Sequence, residues 1–346
     1  MADSLVIVAA PAARLRLAVC SVPLLSREAS LRHGLAPGSA AVLAQALAGS
    51  LLLAATDTPD GREGARVDVQ LECGGPLRGL LVDADASGAV RGLVRVGSLD
   101  RDGSRIEPAQ LSQPGLTEVP LAGSNLSPLL RFDAQPLLAG APDGVAGMLS
   151  ILRATEALPG ANPPLHRALV PFAGGDLGAG LTAFLLNDRE GAGELSLEVL
   201  YRREVALAAV AGALILPDLD ADPDSEPVLA ELAEQGARLR SGLLRDALLQ
   251  AEQTAPGNAH ALARELSALL GLGPLRVESE VRPRFACRCS RERVMRALSL
   301  LGTVELRDMA ERDNGADASC DFCAQSYRIS KLELLELAGQ LAPVLP

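Results

Sequence analysis

Apolar and polar positions along the chain follow three successive regimes. In the first, roughly residues 5–216, short apolar stretches alternate with turns, as in an α+β domain. Leu15-Arg16-Leu17-Ala18-Val19-Cys20 alternates weakly and predicts a strand. Pro37-Gly38-Ser39 opens a helix through Ala55 that is apolar on nearly every face, so it is expected to be the buried central helix. Residues 66–73 alternate strictly, which puts Val67, Val69, Leu71 and Cys73 on one face of a half-buried strand. Gly74-Gly75-Pro76 turns the chain and residues 77–84 pair back as a hairpin; after Ala86-Ser87-Gly88, residues 90–96 add a further antiparallel strand. Residues 56–61 read as a loop. Residues 100–165, rich in Gly, Pro, Ala and Ser, read as an irregular insertion with one strand-like stretch at 147–153. Residues 165–172, 195–201 and 205–217 complete the apolar material of this regime.

The second regime opens at Pro217-Asp218-Leu219-Asp220-Ala221-Asp222-Pro223-Asp224-Ser225-Glu226-Pro227, whose carboxylates and prolines cannot pack into a core and mark a domain boundary. From 228 to 272 a helical pattern returns, with Leu229, Leu232, Leu239, Leu243, Leu244 and Leu248 three to five residues apart in most steps, and residues 261–270 end at Gly271 and Gly273 as a helix should. We read two helices here. Their apolar stripe is too short to form a core, so they must lie on another surface, from which they can be released. The expected organisation is therefore an α+β domain over 1–216, an acidic break and helical linker over 217–280, and a small C-terminal domain over 281–346.

Composition narrows the possibilities. With 48% hydrophobic residues, no Trp, two Tyr and five Phe, the core has to be built from Leu, Val and Ala. Lys331 is the only lysine, which we read as genome composition bias. A net charge of −11 argues against nucleic-acid binding, which needs clustered cations. The N-terminus lacks the basic start of a signal peptide, and the apolar runs at 40–55 and 205–216 read as core elements, so no membrane association is expected. The expected compartment is a reducing cytoplasm, where paired cysteines bind metal or do redox chemistry.

The third regime holds that pairing. Cys287-Arg288-Cys289 and Cys320-Asp321-Phe322-Cys323 account for four of the six cysteines, with about thirty residues between the pairs. Tetrahedral zinc takes four thiolates at about 2.3 Å, and each short pair can clasp one edge of the tetrahedron. Between the pairs, Ser290 can cap a helix that Gly302 ends, and a second short helix runs to Asn314-Gly315; after Cys323, residues 326–329 read as a strand, and Ser330 with Glu333 as a capping box for the last helix. Such a small module depends on its metal to fold. Zinc keeps sulfur deprotonated and nucleophilic toward peroxide, and disulfides Cys287–Cys289 and Cys320–Cys323 would remove all four ligands together. Cys20 and Cys73, on strand patterns, read as core residues.

Residues 285–293, the Cys320-Asp321-Phe322-Cys323-x-x-x-Tyr327 ending, and Gly75-Pro76-Leu77 followed by Leu81-Val82-Asp83 resemble the redox-regulated 33 kDa heat-shock protein family of bacterial chaperones. The resemblance implies an ATP-independent holdase: inactive when reduced with one zinc ion per chain, and active as a homodimer once oxidation expels zinc. Unfolding of the C-terminal module and linker then exposes apolar surface for unfolded or oxidatively damaged client proteins. It also implies Cys287, Cys289, Cys320 and Cys323 as zinc ligands and redox switch, and residues 228–280 as the segment that melts. The family's Tyr-Phe and Ser-Glu-Gln stretch has no counterpart at residues 181–190.

Two other classes fit less well. A constitutive zinc-ribbon module for nucleic acid or protein would find some charge in Arg288, Arg291, Arg293 and Arg296, but stacking aromatics are scarce. A dithiol oxidoreductase wants its Cys-x-x-Cys at a helix start after a βαβ unit, and that context is missing. No nucleophile triad, Walker loop or catalytic carboxylate pair stands out, and His33, His166 and His260 are scattered surface or loop positions, so no enzymatic role is expected.

Overall fold

The structure is a computed structural model and describes residues 3–56, 65–95, 115–119, 129–133, 135–138, 147–154, 165–172, 175–187, 193–202, 207–218 and 226–341. The chain divides into two compact units, Met1–Phe285 and Ala286–Pro346.

In the first unit the chain runs through β1 (Ser4–Ala10), β2 (Leu15–Ser21), α1 (Pro23–His33), α2 (Pro37–Thr56), β3 (Arg66–Cys73), β4 (Gly79–Asp85) and β5 (Ala89–Val94). It continues with β6 (Gly115–Val119), β7 (Leu129–Asp133), α3 (Gln135–Leu138), β8 (Gly147–Ala154), β9 (Leu165–Phe172), α4 (Leu177–Asn187), β10 (Glu194–Tyr201) and β11 (Leu207–Pro217). Three helices follow, α5 (Glu226–Arg238), α6 (Leu244–Thr254) and α7 (Ala259–Leu270), and then β12 (Arg276–Val281) and β13 (Arg284–Phe285). The strands form a seven-stranded sheet, β12-β1-β2-β11-β10-β7-β6, and a six-stranded sheet, β13-β5-β4-β3-β8-β9. Among the described strands, pairing is antiparallel except between β13 and β5. This is the α+β class expected from the sequence.

Helix α2 packs against strands of both sheets, which is why it can be apolar on every side. By length and composition it could cross a membrane, yet 94% of its apolar window is buried. The strict alternation of β3 is realised: Val67, Val69 and Leu71 are fully buried while Asp68 and Gln70 face outward. Strands β1, β2 and β11 behave differently. Leu5, Ile7, Ala18 and Cys20 point into the α2 core, and Val6, Val8, Leu17 and Val19 point into a second core. Both faces are covered, so β1 and β11 read as apolar runs rather than alternating ones, and β2 alternates only weakly, through Arg16, which pairs with Glu278.

The second core is closed by α5, α6 and α7, whose Leu232, Leu244, Leu248, Leu262, Leu266 and Leu270 lie on this other face of the seven-stranded sheet. The linker pattern does lie on a surface, as expected, but as three helices rather than two. The extra division comes from a π turn at Leu239–Leu243 in which Gly242 takes φ 106°, a backbone that breaks α-helical continuity. Asn258 caps α7 by accepting from the Ala261 N–H, and Gly271, at φ 74°, ends it.

The insertion at 100–165 is partly described: β6, β7, α3 and β8 all lie in it, and β8 is a central strand paired with β3 and β9. The expected loop at 57–61 and the acidic run at 219–225 lie outside the described residues, as do residues 188–190.

The second unit contains α8 (Arg291–Leu298), a 3₁₀ turn (Ser299–Leu301), α9 (Thr303–Arg312), β14 (Gly315–Ser319), β15 (Ser326–Ser330) and α10 (Lys331–Leu341). Its core is small: among the described residues, only Leu306, Ala310, Ile329, Leu334 and Ala338 are buried apolar side chains of one cluster.

Candidate metal centre

The two cysteine pairs are presented by different local devices. Cys287 and Cys289 lie on the irregular stretch 286–290, which ends at Ser290, whose Oγ accepts the Arg293 N–H at 3.3 Å and starts α8. Cys320 and Cys323 lie on the tight turn joining β14 to β15. There the Cys320 carbonyl accepts from the Cys323 N–H at 3.3 Å and the Ala324 N–H at 2.8 Å, and the Gln325 carbonyl accepts from the Cys320 N–H at 2.9 Å. Ala324 takes φ 57° to close the turn.

All four sulfurs lie within 4.8 Å of one another. The short approaches run between the pairs: Cys287 Sγ to Cys320 Sγ is 3.6 Å and Cys289 Sγ to Cys323 Sγ is 3.3 Å. A tetrahedron of sulfurs at about 2.3 Å from a central ion has edges of about 3.8 Å, so the set fits a soft tetrahedral metal. Burial pushes the Cys323 thiol up to about 12 and also raises Cys320. At neutral pH these sulfurs become thiolates when a cation shares the site, as metal ligation requires.

Polar ties around the cluster join the two pairs. The Tyr327 O–H on β15 donates to Cys289 Sγ at 3.1 Å, a bond that itself raises the phenol to about 12. Arg291, two residues after Cys289, donates to the Arg328 carbonyl at 2.9 Å and to Glu333 Oε1 at 2.5 Å. Glu333 in turn accepts from the Ser330 N–H at 2.8 Å, and its own N–H donates to Ser330 Oγ at 3.4 Å, the reciprocal capping box of α10. Arg291 and Ser330 together hold the Glu333 carboxyl down at about 2.

The other titratable candidates are not drawn into this cluster. Cys20 is fully buried in the α2 core and burial pushes its thiol up to about 12; Cys73 packs half-buried against the same core and is also raised by burial. Neither is a reactive thiolate. His33 ends α1, His166 is on β9, and His260 is on α7 with its Nε2 3.2 Å from Glu280. The cysteine spacing was readable in the sequence; the part played by Tyr327 and Arg291 was not, because neither spacing nor residue type distinguishes a phenol or guanidinium aimed at the centre from one aimed at solvent.

The sequence model of the Hsp33 protein family matches residues 3–330. The chain belongs to the Hsp33 family. A curated 33 kDa chaperonin from Synechocystis sp. is 30% identical over 344 residues, covering 99% of this chain and 97% of the relative. The 33 kDa chaperonin of Rippkaea orientalis is 31% identical over 341 residues, covering 99% and 98%. The crystal structure of the Hsp33 homologue from Thermotoga maritima shares the fold, with a TM-score of 0.60 at 20% identity over 94% of each chain. The family assignment places the four-cysteine cluster, which can hold a metal ion, in a chain whose named relatives are chaperonins.

Proposed function

We propose that this Hsp33 family member is a redox-regulated, ATP-independent holdase that binds unfolded or oxidatively damaged proteins and acts as a homodimer in the cytoplasm when oxidised. The observation that carries the reading is the convergence of four sulfurs within 4.8 Å in the unit with the smallest core. In the reduced state, Cys287, Cys289, Cys320 and Cys323 hold one zinc ion, whose chemistry is to keep the sulfurs as thiolates. Two buried leucines, an isoleucine and two alanines are little apolar burial for a unit of this length, so the fold of residues 286–346 rests on that centre.

Oxidation acts on the sulfurs themselves. A thiolate attacks peroxide, the O–O bond breaks, and hydroxide leaves behind a sulfenic acid; a second thiolate attacks that sulfur and expels another hydroxide as the S–S bond forms. Each disulfide thus consumes one peroxide, and two disulfides remove all four ligands. The nearest sulfurs belong to opposite pairs, but Cys287 with Cys289 and Cys320 with Cys323 are tethered by one or two residues and remain near each other once the pairs separate. We therefore assign the disulfides within the pairs.

Residues 228–280 are the part that melts, and the helices α5 to α7 that they form cover an apolar sheet face that their departure would uncover. The test is to follow zinc release and suppression of client aggregation with and without peroxide under mild heat. We expect release and suppression only in the oxidised sample. Equal suppression in both states, or zinc retained after the thiols have been oxidised, would overturn the proposal.

A further inference from the structure

The phenol of Tyr327 is one of the described side chains that touch the cysteine cluster without being a thiol. It stands on β15, opposite Ala318 of β14, so it belongs to the hairpin that carries Cys320 and Cys323. Its hydrogen bond goes to Cys289, a member of the other pair. Tyr327 packs, partly buried, against the small core of Leu306, Ile329 and their neighbours, which places the phenol oxygen beside the sulfur and leaves only the O–H to turn toward it. A donor held in this way at 3.1 Å occupies sulfur electron density that an attack on peroxide would otherwise use.

We propose that Tyr327 is a positioning residue that sets the oxidant threshold of the centre by restraining the Cys289 sulfur. The inference rests on the redox reading given above. While the O–H donates, Cys289 is the less nucleophilic for it, and the bond ties the two cysteine pairs together. When Cys289 does attack peroxide, the O–O bond breaks, hydroxide leaves and a sulfenic acid forms. Cys287 then closes on that sulfur, expelling a second hydroxide, and a disulfide sulfur accepts hydrogen bonds weakly, so the phenol is released. The same side chain therefore slows the first step and stops resisting once it has occurred.

The decisive comparison is between the wild-type chain and Tyr327→Phe, which keeps the ring and removes only the donor. Both are loaded with zinc and exposed to hydrogen peroxide. Zinc release is followed with a chromophoric chelator, and sulfenic acid at each cysteine is trapped and located by mass spectrometry. We expect the variant to bind one zinc ion per chain, to release it about five- to tenfold faster, and to show the increase in trapping at Cys289, as follows from losing one hydrogen bond of ordinary strength. Equal rates, or an increase spread over all four cysteines, would overturn the assignment. Should wild type keep its zinc under peroxide, the redox reading fails, and the rate of iodoacetamide alkylation at Cys289 in the two proteins still decides the role of Tyr327.

A spectroscopic test avoids substituting Tyr327 at all. The chain has two tyrosines and no tryptophan, and the other tyrosine, Tyr201, is buried in the first unit with its O–H on the Pro37 carbonyl. In Tyr201→Phe, tyrosine emission comes from Tyr327 alone. It is expected to change with the same rate constant as Cys289 oxidation. Emission that stays constant while Cys289 is oxidised would overturn the proposal, whatever the stability of Tyr327→Phe.

Discussion

Two helical layers flank the seven-stranded sheet, and they differ in kind. Helix α2 is buried between sheets, apolar on all sides, and contains no charged residue. On the opposite face, α5 to α7 present leucines to the sheet and charges to solvent, and part of their attachment is polar. Arg238 donates to the Leu270 carbonyl at 2.7 Å and to the Leu269 carbonyl, and Arg240 pairs with the largely buried Glu194 of β10. Removing α2 would take the centre out of the main core, which both sheets share. Removing α5 to α7 would expose one face of a sandwich whose main core stays whole. A layer can be releasable when water can solvate its outer side and when its loss spares the rest of the fold.

The sharpest way to break this comparison is a matched pair of truncations. Leu47→Ala in α2 and Leu266→Ala in α7 both remove a fully buried leucine, and each is expected to cost about 2–5 kcal/mol. For Leu47→Ala the loss should appear in global unfolding, as a lower thermal midpoint with protection reduced across both sheets in hydrogen exchange. For Leu266→Ala the faster exchange should stay within α5 to α7. Uniform loss of protection in both variants would mean that the outer layer is as integral as α2.

Smaller is the effect of Arg238→Ala, which strips the two terminal carbonyls of α7 of their donor and is expected to weaken the layer by about 1–2 kcal/mol. Amide exchange at the last turn of α7 should rise first; unchanged exchange there would remove the polar contribution from the comparison.

The smallest expected effect is in the second unit and depends on pH. The Glu333 carboxyl is held down at about 2, from an ordinary value near 4.5, by Arg291 and the capping box. A carboxyl lowered on folding contributes stability above its unfolded value, and that contribution fades as pH falls from about 4.5 toward 2. Because the pair is exposed, the contribution is modest. Thermal unfolding of wild type and Glu333→Gln should therefore differ at pH 7 and converge near pH 2; a constant difference would show that the carboxylate charge is irrelevant.

Sequence periodicity revealed α2, β3, β4 and β5 because each shows one environment per face: all apolar for α2, strictly alternating for β3. It also located the four cysteines, since their pairing is local. Strand β1 was missed because burial on both faces erases alternation, leaving Leu-Val-Ile-Val as an apolar run without a period. Strand β12, Arg-Val-Glu-Ser-Glu-Val, is an edge strand whose side chains meet water, and β14, Gly-Ala-Asp-Ala-Ser, has almost nothing apolar to signal a strand; both exist through backbone pairing, with β1 and β15. The contacts of Tyr327 and Arg291 with the cysteine region depend on tertiary direction, which no local pattern encodes.

The two-sided burial of β1, β2 and β11 also limits how this protein can vary. In a sandwich with one wet face, every second strand position can drift among polar residues at little cost. Along these three strands a change that suits one core is neighboured by positions committed to the other, and Gly212 shows the limit, since a Cβ there would crowd Leu52, Leu197 and Cys20 at once. Strands so enclosed draw mostly on Ala, Val, Leu and Ile, admit a buried cation only where Glu278 pairs with it at Arg16, and make the scarcity of bulky aromatics in the chain a condition for fitting two cores against one sheet.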